Sequence, residues 1–259
     1  MAGKTTIWHP ANIFSDDPIA QDDDDDGEYS LIVLNQPMEL SASVYSKLWE
    51  NCTCKVAADG GANRIHDMNV QNQDLLDVDF IIGDLDSLLP SVQKYWEDKG
   101  ARIIHNPDQY STDFTKAVKA IWAQSKANLV VLGGLGGRVD QGISVLHHLY
   151  TFQKTYDSGK MFLLSSEGIT FVLKSGKHKI RAQQEHPVMK LGKNVGIIPL
   201  KEPSVITTKG LEWDVTDWET EFGGQISTSN HVVEDWVTVD TTKDVLFTID
   251  IEILSSSST

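Results

Sequence analysis

Two aspartates separated by one residue, Asp84 and Asp86, are the side chains whose types and spacing most clearly predict chemistry. They closely follow a short apolar run, residues 80–82, that is typical of a buried strand. Residues two apart on a strand point to the same side, so the two carboxylates would lie together at the strand end. Like charges repel there unless a cation or a proton lies between them. A simple turn is the alternative interpretation, because Gly, Asp and Ser are common turn residues.

More polar side chains are predicted at the ends of neighbouring strands. Asp59 follows the second predicted strand, and a glycine-rich loop, residues 133–137, follows the fifth. In an open parallel sheet, ligands bind beyond the carboxyl ends of the strands. Besides Asp59, Asp84 and Asp86, the candidate site residues at this edge are Gln109, Thr112, Asp113, Arg138, Asp140 and Gln141.

Each aspartate also has a structural interpretation of its own, as a turn residue or as a carboxylate that favours a helix N-terminus. Together, however, acids from several strand ends would repel one another on one edge. A divalent cation removes that repulsion, and Mg²⁺ typically binds one or two carboxylates together with water and substrate phosphates. The glycine loop and the helix after it suit a phosphate as well, although the loop matches neither a P-loop nor a G-x-G-x-x-G fingerprint. The pattern therefore favours a magnesium–nucleotide site.

The segments that must hold these residues form two predicted domains behind an acidic tail. Residues 29–167 alternate continuous apolar runs with helical patterns, which predicts an α/β domain with a mainly parallel, Rossmann-like sheet and flanking helices. Residues 168–259 contain short β-rich segments punctuated by Gly and Pro, which predicts an all-β sandwich. Residues 1–28 include five consecutive aspartates, residues 22–26, and are predicted to be a flexible tail. Anchoring of part of this tail on the body through Trp8 and Ile13-Phe14 is an alternative that the sequence leaves open.

Composition limits the classes of partner and the compartment. The 259 residues include 37 acidic and 22 basic side chains, a formal net charge of -15, which argues against nucleic acid and anionic membranes as partners. The two cysteines, Cys52 and Cys54, are poorly spaced for a disulfide and have no second pair for a zinc site. We find no secretory signal and no apolar stretch that approaches about 20 residues. We therefore expect a soluble, cytoplasmic protein.

Taken in order, seven segments of the chain resemble the motifs of the eukaryotic thiamine pyrophosphokinase family. They are residues 59–64, 83–87, 107–109, 112–116 and 133–141 in the first domain, and residues 208–213 and 227–230 in the second. The resemblance extends over roughly residues 29–253, and the acidic tail and residues 232–236 are less similar to the family.

The resemblance implies a thiamine diphosphokinase, a transferase that uses ATP and Mg²⁺. The thiamine hydroxyl would attack the β-phosphorus of ATP, giving AMP and thiamine diphosphate. It implies Asp84 and Asp86 as metal-linked carboxylates, with Asp59 and Asp113 as further metal or water partners. Asp113 could alternatively orient or deprotonate the hydroxyl.

The same resemblance implies the residues that hold the two substrates. ATP or its phosphates would be bound by Gln109, Thr112, Arg138 and Gln141, with support from Asp140. Thiamine would be bound by Ser227 and Asn230, with Trp213 close to its rings. The family also implies a homodimer, in which thiamine binds where the α/β domain of one subunit meets the β-domain of the other.

Two other functions are compatible with parts of the pattern. A metal-dependent nucleotide phosphohydrolase would use the same acids with a water as the nucleophile. A non-catalytic nucleotide or thiamine sensor would bind without turnover. Neither accounts for the motifs of both domains. His147 and His148 fall in the middle of a predicted helix and are interpreted as packing or surface residues.

Overall fold

The computed structural model of the chain describes residues 4–15, 28–124, 128–155 and 159–254. The chain divides into two compact units, one formed by Gly27–Ser165 and the other by Met1–Asp26 together with Ser166–Thr259. Strand β1 (Thr6–Trp8) and a 3-10 helix (Pro10–Phe14) belong to the second unit. Among the described residues, no helix is long and apolar enough to cross a membrane.

Strands and helices alternate through the described part of Gly27–Ser165. The elements are β2 (Tyr29–Val33), α1 (Ala42–Asn51), β3 (Cys52–Ala58), α2 (Gly61–Asn72), β4 (Phe80–Gly83), α3 (Pro90–Asp98), β5 (Arg102–His105), α4 (Asp113–Trp122), β6 (Asn128–Leu132), α5 (Val139–Thr155) and β7 (Met161–Leu164). Strands β2, β4 and β7 are buried at every position, as expected of a sheet that is covered on both faces.

The order of these strands in the sheet is β7-β6-β2-β3-β4-β5, and each adjacent pair is parallel. The chain runs outward from β2 to β5 and then returns to place β6 on the other side of β2. This reversal is a topological switch point, where the loops after β2 and β6 diverge and leave a crevice for a ligand.

The second unit is rich in strands. Its further elements are β8 (Gly168–Leu173), β9 (Gly176–Arg181), β10 (Glu185–His186), β11 (Met189–Ile198), β12 (Ser204–Lys209), β13 (Trp218–Thr220), β14 (Ser227–His231), β15 (Trp236–Thr241) and β16 (Val245–Ile253). One set of paired strands has the order β1-β9-β15-β12-β13, and a second has the order β10-β11-β16-β8 with β14 on β11. The prediction of an α/β domain followed by a strand-rich domain is confirmed.

The N-terminal segment differs in part from the predicted flexible tail. Strand β1 pairs in parallel with β9, and Trp8 stacks on Phe171 with 4.6 Å between ring centroids. The indole N–H of Trp8 donates to Nδ1 of His178 at 3.0 Å, and Phe14 is fully buried. Residues 4–15 therefore belong to the core of the strand-rich unit because their apolar side chains find partners there. The five aspartates of residues 22–26, which belong to the predicted flexible tail, lie outside the described residues.

Candidate active site

A cavity of about 520 Å³ lies at the switch point of the parallel sheet. Its walls come from the loops that follow β2, β3, β4 and β6, from the first turn of α4 and from the N-terminal half of α5. Six of the predicted site residues line it, namely Asp59, Asp84, Thr112, Asp113, Arg138 and Gln141. The cavity is also lined by residues that are not among the predicted ones, including Asn35, Gln36, Ser87, Lys116, Ser144 and His148.

Three aspartates form an acid cluster, defined here as Asp59, Asp84 and Asp86. One carboxylate oxygen of each lies within 4.8 Å of the others. The local geometry is not the predicted strand alternation, because β4 ends at Gly83 and the next residues turn. Leu85 is left-handed, with φ 65°, and the amide N–H of Asp86 donates to Oδ1 of Asp84 at 3.3 Å. A turn, rather than an extended strand, therefore brings the two carboxylates together.

Asp59 is the buried member of the acid cluster, with 3% of its surface exposed. Its Oδ2 accepts the amide N–H of Ser87 at 3.1 Å, whereas its Oδ1 is buried and has no hydrogen-bond partner among the described residues. Burial raises the pKa of Asp59, and the nearby charges of Asp113, Asp86 and Asp84 raise it further. Three carboxylates whose oxygens lie this close together are the kind of oxygen ligands that a hard divalent cation prefers.

Asp84 accepts a hydrogen bond from Gln109. The Nε2 of Gln109 donates to Oδ2 of Asp84 at 2.8 Å, and this hydrogen bond lowers the pKa of Asp84. Asp86 in turn accepts the hydroxyl of Ser87 at 2.9 Å. Gln109 was predicted to hold phosphates or the nucleotide, but its side chain contacts a member of the acid cluster.

Asp113 is the first residue of helix α4, and the buried ammonium group of Lys116 lies beside it. Thr112 is the N-cap, and its hydroxyl accepts the amide N–H of Thr115 at 3.2 Å. Nζ of Lys116 donates to Oδ1 of Asp113 at 2.9 Å, with only 2% of the Lys116 side chain exposed. Because Gly83 has no side chain, the end of β4 can lie close to Asp113. A Cβ at residue 83 would lie 3.1 Å from Oδ1 of Asp113. The sequence could have identified Lys116 as the partner of Asp113, because it is a basic residue about one helical turn after an acid.

The glycine loop closes the opposite wall of the cavity. Gly133 and Gly137 have φ of 72° and 64°, a conformation that side chains disfavour. A Cβ at Gly137 would lie 2.7 Å from Oε1 of Gln36. Two predicted site residues after the loop, Arg138 and Asp140, form a two-point ion pair at 2.7 and 3.1 Å with both side chains largely exposed.

One face of helix α5 lines the cavity with Gln141, Ser144 and His148. Their spacing of three and four residues places them on the same side of a helix, and this periodicity could have identified His148 from the sequence. Nε2 of His148 lies 3.1 Å from Oγ1 of Thr112, and its ring also stacks on Phe152. His148 is therefore both a packing residue, as predicted, and a lining residue of the cavity.

A second, smaller cavity of about 260 Å³ lies within the strand-rich unit. It brings together the three remaining predicted site residues, Trp213, Ser227 and Asn230. Asn230 is buried, and its amide binds the backbone of Trp213: Oδ1 accepts the Trp213 N–H at 3.1 Å, and Nδ2 donates to the Trp213 carbonyl at 2.9 Å. Trp213 itself is 55% exposed. This cavity offers an aromatic wall and a few polar groups, which suits a small planar ligand.

Comparison with known proteins assigns the two units to the two domains of one family. The family model described as "Thiamin pyrophosphokinase, catalytic domain" matches residues 45–161. The model described as "Thiamin pyrophosphokinase, vitamin B1 binding domain" matches residues 177–246.

Individual relatives agree with the family models. Thiamine pyrophosphokinase 1 of Arabidopsis thaliana is 36% identical over 242 residues, with 86% of each chain covered. Among solved structures, yeast thiamin pyrophosphokinase is similar with a TM-score of 0.84 and 27% identity, covering 97% of this chain and 93% of that one. Thiamin pyrophosphokinase from Candida albicans has a TM-score of 0.80 and 26% identity, covering 97% and 95% of the two chains.

Proposed function

The chain belongs to the thiamin pyrophosphokinase family, and on this basis we propose that its 520 Å³ cavity binds ATP with Mg²⁺ and its 260 Å³ cavity binds thiamine. The activity of the chain is that of a transferase. It moves the pyrophosphoryl group of ATP to the thiamine hydroxyl and produces AMP and thiamine diphosphate. The placement of ATP depends mainly on one observation, the acid cluster at the switch point, which includes a buried carboxylate oxygen without a hydrogen-bond partner among the described residues.

We infer that the acid cluster, Asp59, Asp84 and Asp86, holds the metal. The proposal is supported by the mutual distance of the three carboxylates and by the raised pKa of Asp59. A bound Mg²⁺ would supply charge neutralisation on the transferring phosphates. Gln109 would orient Asp84 through its hydrogen bond to Oδ2, and its contact with the phosphates or the nucleotide stays a prediction.

Asp113 has a different environment, and we propose a different role for it. Its carboxylate is already paired with Lys116, so it does not require a metal for charge compensation. It lines the same cavity as the acid cluster. We assign Asp113 to orienting the thiamine hydroxyl or accepting its proton, which was the second of its two predicted roles.

The phosphate and nucleotide contacts are proposed for the opposite wall. The backbone N–H groups of the glycine loop, with Gln141 and Thr112, would surround the phosphates. Arg138, which is exposed and paired with Asp140, would have to exchange that partner for a phosphate oxygen. Because such transfer depends mainly on positioning and charge neutralisation, these contacts would place the β-phosphorus in line with the incoming hydroxyl.

Trp213, Ser227 and Asn230 are proposed for thiamine. Trp213 would stack on a thiamine ring, Ser227 would provide a polar contact, and Asn230 would act mainly through the Trp213 backbone that it binds. The homodimer with thiamine at the subunit interface and the cytoplasmic location remain predictions from the sequence. A Rossmann-like nucleotide domain joined to a β-sandwich is the finer fold description that accompanies this proposal.

Product analysis tests the proposal directly. Incubation with ATP, Mg²⁺ and thiamine should yield AMP and thiamine diphosphate in equal amounts, and Asp84→Asn should lower the turnover by about 10²-fold or more. Asp98→Asn, an exposed aspartate paired with Lys94, is the matched control and should keep full activity. Normal turnover by Asp84→Asn would refute the metal assignment.

The alternative functions have distinct products. Release of phosphate or pyrophosphate without thiamine would indicate a phosphohydrolase. Tight binding without AMP formation would indicate a sensor.

A further inference from the structure

Trp213 is unusually constrained for a residue with a largely exposed indole. Both polar atoms of its backbone are bound by the buried amide of Asn230, at 3.1 and 2.9 Å. The loop before it is tied down by Asp214, whose carboxylate accepts the amide N–H groups of Gly210 and Leu211. The backbone of Trp213 is therefore fixed, and the direction of its side chain depends on the groups around the ring.

The ring that contacts the indole is that of His231, which follows Asn230 in the sequence, and His231 in turn contacts Glu212, which precedes Trp213. The rings of Trp213 and His231 have centroids 5.1 Å apart and a tilt of 47°. Nδ1 of His231 lies 2.6 Å from Oε2 of Glu212, and since a carboxylate accepts, Nδ1 carries the proton. The amide N–H of Glu212 also donates to the carbonyl of His231 at 2.8 Å.

We propose that Glu212 and His231 are positioning residues that set the affinity for thiamine through Trp213. Glu212 holds the imidazole of His231 in one orientation, and the imidazole supports one side of the indole. Trp213 also lines the 260 Å³ cavity, so the orientation of its indole sets the shape of the cavity wall. An aromatic wall that is already oriented loses less conformational freedom when a planar ligand stacks on it. The inference rests on the proposed thiamine site.

Steady-state kinetics on the full-length chain test the inference. His231→Ala should raise the KM for thiamine by about two- to tenfold, the range of a lost aromatic contact. The kcat and the KM for ATP should stay near the wild-type values. Glu212→Gln, which keeps the hydrogen-bond geometry but loses the charge, should have a smaller effect in the same direction. His231→Phe, which keeps a ring beside Trp213, should restore part of the affinity.

A spectroscopic readout separates positioning from general destabilisation. With 5-fluorotryptophan incorporated, the ¹⁹F resonance of Trp213, identified by its loss in Trp213→Phe, should broaden or shift in His231→Ala. The other tryptophan resonances should not move. Glu185→Gln, an exposed glutamate on β10, is the control for charge removal in the same unit.

Three outcomes would each overturn either the positioning inference or the proposed thiamine site. If Trp213→Ala raises the KM for thiamine but His231→Ala and Glu212→Gln leave it unchanged, the positioning inference is wrong and the thiamine site stands. If Trp213→Ala itself leaves the KM for thiamine unchanged, the proposed thiamine site is wrong. Equal changes in the KM for ATP and for thiamine would also contradict the inference.

Discussion

Asp59→Asn should stabilise the metal-free protein while it removes activity. Asp59 is 3% exposed, and one of its oxygens has no hydrogen-bond partner among the described residues. Asparagine can keep the hydrogen bond from Ser87 with its carbonyl oxygen and can donate to a neighbouring carboxylate with its amide. It also tolerates the left-handed backbone of this position, where φ is 43°.

The magnitude follows from the unpaired buried oxygen. Removing the cost of such an unpaired buried group raises the free energy of unfolding by about 1–2 kcal/mol. This corresponds to an increase in Tm of roughly 3–6 °C for a chain of this size. In the presence of Mg²⁺ the wild type should be more stable than Asp59→Asn, because a cation at about 100 times its Kd stabilises the wild type by about 2.7 kcal/mol. The variant lacks one carboxylate and should gain much less from the metal.

The pH dependence has a defined sign. Burial raises the pKa of Asp59 above its ordinary 3.8, so its ionised form destabilises the folded state. The stability advantage of Asp59→Asn should be complete well above the raised pKa and should disappear as the pH falls through it.

Chemical denaturation of both proteins in EDTA and in excess Mg²⁺, at several pH values, measures all three effects. An asparagine variant that is less stable than the wild type in EDTA would refute the reasoning. Equal stabilisation of both proteins by Mg²⁺ would refute the metal site.

Three further predictions concern the residues around the site and the cysteines. Gly83→Ala should lower kcat by about 10²-fold, because a Cβ there would lie 2.6 Å from an aspartate of the acid cluster. Gly142→Ala, where a Cβ meets nothing within 4 Å, is the control, and equal kcat values would contradict the argument. Thr112→Ala should lower the free energy of unfolding by about 1 kcal/mol through loss of the N-cap of α4, whereas Thr112→Ser should keep it; urea denaturation distinguishes the two. Burial raises the pKa of Cys52 to about 12 and that of Cys54 to about 11, so iodoacetamide at about pH 8 should alkylate the native protein roughly 100-fold more slowly than the unfolded chain. Rapid alkylation of either native cysteine would contradict the assigned burial.

The sequence by itself was sufficient for the α/β organisation and for six of the residues that line the candidate site. Continuous apolar runs and helical spacing are local properties, and they identify buried strands and their covering helices. The carboxyl ends of parallel strands share one edge, so residues at strand ends could be predicted to meet without knowledge of the strand order. Asp59, Asp84 and Asp113 line one cavity for this reason.

Only the tertiary structure decided how these residues are held and what accompanies them. The position of His148 beside Thr112 and the burial of the Lys116 side chain depend on which elements pack together. The N-terminal strand pairs with β9, about 170 residues away in the chain. Local periodicity carries no information about such distant partners, because the free energy of burial depends on apolar area and not on sequence separation.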